Sequence, residues 1–259
     1  FDTQFTCTFQ FMVIVISKKF FTIKLVEKQS KRYNFLIKSL HQMKLYTASE
    51  TRRIDNLAIK EKNITGFSLM QSAAEFSLDV IVREFPEVKD LLVFCSKGKN
   101  SGDGFLLGTY AKDFGLNVIV VMCSPVNDFK SVTKKAYDEL KSAKVKVIKS
   151  PDLKNLKLSR DTVIVDALVG TGLKGKLRNA VKESVLKINE LGIKYPVISL
   201  DVPSGMNSDT GYVEDVCVFA DITATFVAQK RGCFTTIGKK VSGELHYSDL
   251  DIPKKLFSK

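Results

Sequence analysis

The stretch Leu91-Leu92-Val93-Phe94-Cys95-Ser96-Lys97-Gly98-Lys99-Asn100-Ser101-Gly102-Asp103-Gly104 decides how the rest of the chain is read. Five apolar residues run into a glycine-rich segment, and a helical pattern begins at Phe105. A strand, a glycine turn and a helix N-terminus in that order make an anion-binding site, because backbone N–H groups converge there. Two later apolar runs end comparably. Val163-Ile164-Val165-Asp166 leads into Gly170-Thr171-Gly172, and Val197-Ile198-Ser199-Leu200-Asp201 leads into Val202-Pro203-Ser204-Gly205. Open α/β sheets bind ligands beyond the carboxyl ends of their strands. Three such ends, carrying Asn100, Asp103, Asp166, Asp201 and Ser204, therefore predict one enzyme-like site.

Outward from these ends, apolar runs alternate with helical patterns. Thr47-Ala48-Ser49-Glu50 is a capping box for a helix with Ile54, Leu57 and Ala58 inward. A second helix is expected from Ser68 to Phe85, stopped by Pro86, and a third from Phe105 to Phe114, closed by Gly115. Strands are expected at Asn117–Met122, Val145–Ile148, Ile222–Phe226 and Glu244–Tyr247. Val132, Ala136, Tyr137 and Leu140 mark one further helix, and Val181, Val185, Ile188 and Leu191 another that Gly192 stops. Alternation of this kind implies a parallel or mixed sheet covered on both faces. At 259 residues the chain is long enough to bury a full core in one such domain.

Residues 1–42 differ from the rest. They hold net charge +5 of the total +12, an apolar run from Phe9 to Ile16, and a single arginine, Arg32. A secretory signal carries its basic region ahead of the apolar one, and a mitochondrial presequence is rich in arginine. Neither pattern fits. The segment reads as a poorly ordered extension outside the catalytic fold, with Met43 as a plausible start and residues 43–259 as the domain proper. No apolar run reaches membrane-span length.

The remaining lysines are scattered without interleaved aromatics, which argues against nucleic acid. Five cysteines without a C-x-x-C pair suggest reduced thiols and a cytoplasmic home; a mitochondrial one is the alternative if residues 1–42 are a targeting segment. His41 and His246 are too few and too far apart for a zinc site or a histidine triad. The glycine segment lacks both G-x-x-x-x-G-K-[ST] and G-x-G-x-x-G spacing, and the next strand ends in Cys123-Ser124 with no acid for a ribose hydroxyl. A P-loop enzyme and an ordinary dehydrogenase are both disfavoured.

These segments resemble the YjeF N-terminal family, the NAD(P)H-hydrate epimerases. The family's G-P-G-N-N-G-G-D-G stands here as residues 96–104, with Lys99 for the first Asn and Ser101 for a Gly. Its V-D-A-L-F-G-T-G corresponds to residues 165–172, its D-I-P-S-G to 201–205 and its D-T-G to 209–211. Ala220-Asp221, Thr225-Phe226, Lys230 and Gly232 follow its A-D…T-F…K-x-G. Gln71-Ser72-Ala73-Ala74 stands where the family often has E-x-A-G.

The resemblance implies an α/β fold, a three-layer αβα Rossmann-like sandwich with a mostly parallel central sheet. It also implies interconversion of the R and S forms of NADHX and NADPHX, hydrated at C6. An NAD(P)HX dehydratase would be the functional partner, separate or fused, and a homodimer is compatible. The chain ends soon after Asp251-Ile252-Pro253, which fits a stand-alone epimerase or part of a longer protein. The competing class is a non-catalytic nucleotide- or RNA-associated scaffold of the same fold.

Carried over residue by residue, a potassium ion would be held by Asn100, Asp166 and Ser204. Substrate would contact Lys99, Asn100, Ser101, Gly102 and Asp103, then Gly170, Thr171, Gly172, Leu173, Lys174, Gly175 and Lys176, and also Asp201. Lys99 has the charge for a phosphate contact and the bulk to crowd a nucleotide. Moving a hydroxyl on a carbon beside ring nitrogen calls for loss and return of water, hence an acid–base group. Asp166 and Asp201 are the two candidates. A potassium-bound Asp166 would be held ionised, which favours Asp201 as the proton donor.

Overall fold

The computed structural model describes residues 44–62, 64–125, 129 and 131–258. The expectations for residues 1–42 lie outside the described residues. From Leu45 onward the chain forms one compact unit.

Among the described residues seven strands make a single sheet: β1 (Asp90–Cys95), β2 (Asn117–Met122), β3 (Lys146–Lys149), β4 (Thr162–Ala167), β5 (Val197–Leu200), β6 (Ile222–Phe226) and β7 (Glu244–Ser248). Their spatial order is β3-β2-β1-β4-β5-β6-β7, and all six pairings are parallel. The order reverses between β1 and β4, where Phe94 stands opposite Asp166. In such sheets that switch point opens a crevice at the carboxyl ends.

The helices are α1 (Ala48–Lys62), α2 (Gly66–Glu84), α3 (Lys99–Asp113), α4 (Ser131–Ser142), α5 (Asn179–Gly192) and the short α6 (Thr236–Ser242). Period-two alternation along β1 sorts the layers. Leu91, Val93 and Cys95 join a core with Ile54 and Ala58 of α1, Met70 and Ile81 of α2, Phe105 of α3 and Leu140 of α4. Leu92 and Phe94 face the opposite core with Val181, Val185 and Ile188 of α5. Strands covered on both faces carry near-continuous apolar runs, and β4 and β5 are buried throughout, with Thr162, Asp166 and Ser199 as their polar members. A smaller cluster of Val202, Met206, Cys217, Cys233 and Val241 packs beyond the β5 end.

The capping box at the start of α1 forms as expected: Thr47 N–H donates to Glu50 Oε2 at 2.7 Å, and Glu50 N–H donates to Thr47 Oγ1 at 3.2 Å. A further acceptor comes from far along the chain, Asp209 Oδ1, which takes the Ala48 N–H at 2.6 Å. The D-T-G segment thus ties α1 to the region beyond β5.

One local expectation changes. The glycine-rich segment is not a turn before a helix starting at Phe105; it is itself the first part of α3, which begins at Lys99 behind an extended Gly98. Gly98, Gly102 and Gly104 all lack the positive φ of a glycine-requiring turn. Their small size matters instead. A Cβ on Gly102 would meet Met70 Cε at 2.5 Å, and one on Gly104 would meet Ala167 Cβ at 2.5 Å. These absences let α3 lie directly on α2 and β4.

Candidate active site

The crevice is built from the carboxyl ends of β1, β4 and β5, with α1 and the segment after β6 completing its wall. Its floor is Asp166, fully buried at the end of β4. Oδ1 accepts the Ser204 hydroxyl at 2.6 Å and the Leu168 N–H at 3.2 Å, and Oδ2 accepts the Ser199 hydroxyl at 2.9 Å and the Ser204 N–H at 2.8 Å. Burial pushes this carboxyl up, and the donors from Ser204, Leu168 and Ser199 pull it back.

Ser204 Oγ lies 3.0 Å from Val169 O as well as 2.6 Å from Asp166 Oδ1. One hydroxyl proton serves only one of these oxygens, so three oxygens crowd together with lone pairs to spare. Asn100, 6% exposed, has Oδ1 and Nδ2 without a hydrogen-bond partner, and its Cγ and Asp201 Oδ2 both lie within 3.5 Å of where a Cβ on Gly170 would fall. A buried amide left unpaired is costly and calls for an explanation. An amide oxygen, a carboxylate, a hydroxyl and a carbonyl form a hard-oxygen set suited to a group-1 or group-2 cation. Among the described residues no cluster of three His, Cys, Asp or Glu is arranged for a metal ion.

Asp201 has φ +68°, a left-handed conformation uncommon for a side-chain-bearing residue. The turn aims its carboxylate across the crevice. Oδ2 accepts the Thr171 N–H at 3.0 Å, and Oδ1 pairs with Nζ of Lys230. Gly170 is required here, since a Cβ would fall 2.4 Å from Asp201 Oδ2. Lys230 is wholly buried and also donates to Thr225 Oγ1 at 3.1 Å and to Phe226 O. Sequence reasoning placed Lys230 in a motif without giving it a task; its task is to hold Asp201 by charge.

The remaining substrate-segment residues separate into two groups. Ser101 turns inward, accepting the Ser96 N–H at 2.7 Å and donating to Ala167 O at 2.8 Å, so it stitches β1 to β4. Gly102 serves the α2 contact described above. Lys99, Gly172, Lys174, Gly175 and Lys176 are exposed at the rim, and Leu173 packs against the α5-side core. Asp103 is buried on α3, and burial together with Asp201 and Asp55 raises its carboxyl well above the ordinary value.

Asp55 was not anticipated. It lies on α1 between Thr51, Ile54 and Ala58, all buried, at the i, i+3, i+4, i+7 spacing of an inward stripe. That spacing is the signal by which it could have been found. Burial raises its carboxyl to about 6, with Lys99 and Lys230 opposing and Asp201 adding. Three carboxyls, Asp55, Asp103 and Asp201, thus gather around two ammonium groups.

A family model described as YjeF-related protein N-terminus matches residues 66–232. The chain is 33% identical over 213 residues to a bifunctional NAD(P)H-hydrate repair enzyme of Coxiella burnetii, covering 82% of this chain and 42% of that protein. It is 32% identical over 227 residues to an NAD(P)H-hydrate epimerase of Elusimicrobium minutum, covering 84% of this chain and 100% of that protein. The crystal structure of the yeast protein ynu0 has a TM-score of 0.71 at 23% identity, covering 83% of this chain and 92% of that one, and shares its fold.

Proposed function

We propose, for a chain that belongs to the YjeF-related protein N-terminus family, that it epimerises the hydrated nicotinamide cofactors NADHX and NADPHX. The observation that carries this reading is the convergence of three separated strand ends on one crevice that holds an unpartnered buried Asn100 and the aimed Asp201. The names of the similar proteins support the substrate, and the bifunctional relative supports a dehydratase as the functional partner.

The chemistry follows from the groups present. The rim lysines Lys99, Lys174 and Lys176, with the N-terminus of α3, offer positive potential for the substrate's phosphates. Asp201, fixed by Lys230 and Thr171, keeps lone pairs for a substrate donor. Loss of the hydroxyl leaves an iminium-like ring. Its return from the other face gives the opposite epimer, provided a carboxyl supplies and then retrieves the proton.

A potassium ion is part of the proposal. Asn100 Oδ1, Asp166, Ser204 Oγ and Val169 O would hold it, and the orphaned Asn100 amide is what supports the fit. When bound, it would supply positive charge at the floor of the crevice. Cys95, Cys123, Cys217 and Cys233 are free thiols, which supports a reducing compartment such as the cytoplasm.

The test supplies purified protein with R-NADHX and an S-specific dehydratase and follows NADH recovery. Acceleration over spontaneous epimerisation is expected. A folded protein that gives none would refute the activity.

A further inference from the structure

Asp55 is the residue the crevice leaves unexplained. Its Oδ1 is sealed from solvent and accepts no hydrogen bond, although every other element of α1's inward stripe is apolar or satisfied. The helix that carries it is held in place firmly. Ile54 and Ala58 are fully buried on either side, and Asp209 and the capping box anchor the helix start. The strap ahead of α1 is stitched to the segment carrying Lys230: Tyr46 N–H donates to Gln229 O at 2.9 Å, and Arg231 N–H donates to Tyr46 O at 3.0 Å. Asp55 and Lys230 therefore belong to one rigid wall.

Two of the other crevice carboxyls, Asp166 and Asp201, already have partners. Asp166 accepts four hydrogen bonds, and both oxygens of Asp201 are engaged by Lys230 and Thr171. A part-buried carboxyl with one oxygen sealed and unpartnered, carried by a helix tied to the segment of Lys230, has the spare capacity that proton transfer to a ligand needs. We propose that Asp55 is the acid–base residue of this site, exchanging one proton with the hydroxyl at the hydrated ring carbon. The inference rests on the epimerase reading. In the forward step the Asp55 O–H bond breaks, its proton goes to the hydroxyl, and water leaves with the C–O electron pair while the ring nitrogen lone pair forms the iminium. In the return step water adds to the other face and gives a proton back to the Asp55 carboxylate. Nothing is oxidised or reduced.

Asp55 faces Lys99 and Asp103 from α3, Lys230 after β6 and Asp201 after β5, with Arg52 on its own helix. Because its folded-state value is raised to about 6, the folded protein binds more protons than the unfolded chain between the ordinary value and that one. Stability from this group is therefore full below the window, is lost as pH rises through it, and stays lower above it.

The experiment compares wild type, Asp55→Asn and Asp55→Glu in the coupled R-NADHX assay from about pH 5 to pH 9, with melting curves over the same range. In wild type, kcat should fall as pH rises through the Asp55 titration, after subtraction of the spontaneous rate. Asp55→Asn should lower kcat by about 10²–10⁴-fold with KM near wild type and no such pH limb. It should also melt higher than wild type in the alkaline range, since a neutral amide escapes the penalty of an ionised buried carboxylate. Asp55→Glu should restore part of the rate with a displaced limb. An Asp55→Asn enzyme at wild-type kcat with an unchanged profile overturns the inference alone. So does one that melts lower than wild type and loses activity only in proportion to unfolding. An inactive wild type overturns the epimerase reading, and the inference with it.

Discussion

Lys230 is a lysine with no solvent exposure whose ammonium is held by Asp201, Thr225 and Phe226. A buried ion pair is weak evidence for stability as such, because two desolvated charges offset much of their attraction. Breaking one half is a different matter, since it strands the other charge. Lys230→Met should therefore destabilise the fold by about 3–5 kcal/mol, read as a lower urea midpoint at unchanged slope. It should also free Asp201 from its fixed direction and raise KM for the hydrated cofactor. Retained stability would show that Asp201 finds another partner. Asp166, by contrast, needs no ammonium, because four hydrogen bonds already serve its charge.

At the scale of elements, α3 shows packing overruling propensity. Alanine is a better helix former than glycine by about 1 kcal/mol in a helix interior. At Gly104, however, the added methyl would sit 2.5 Å from Ala167 Cβ and 3.0 Å from Cys95 Sγ, both on strands of the sheet. Overpacking of a tight core costs about 1–3 kcal/mol, and backbone must move to relieve it. Gly104→Ala should thus lower the melting temperature despite its helical advantage, and should weaken nucleotide-dependent stabilisation by displacing Asn100 and Asp103. A rise in melting temperature would show that α3 has room. The same logic explains why α3 begins earlier than the sequence pattern suggests. Glycine in this segment is read as a turn signal, yet here it marks close approach.

For the whole molecule, the sheet brings strand ends separated by more than a hundred residues to one cation-suited floor. If potassium binds only the folded state, the melting temperature must rise with its concentration, by linkage. The rise should be larger for potassium than for sodium at equal ionic strength, and Asp166→Asn should remove the difference. Identical curves in the two salts would speak against a selective site. The uneven charge, +12 overall, makes matched ionic strength essential to that comparison.

Much of this was determined by sequence alone. Strands from Leu91, Asn117, Val163, Val197 and Ile222, and the helix with Val181 and Ile188 inward, lie within a residue or two of expectation, because buried strands and amphipathic helices print their periods on the chain. The three strand-end motifs and the Thr47 capping box were legible for the same reason: they depend on neighbours in sequence. Tertiary structure alone decided the rest. The Lys230–Asp201 pair, the Asp209 cap on α1, the role of Gly104 and the inward Asp55 each join residues far apart in the chain or set a shape that only a packed neighbour defines. A carboxylate on a helix looks like a solvated side chain until the fold says what surrounds it, since charge, burial and partner are properties of the assembled site and not of the residue.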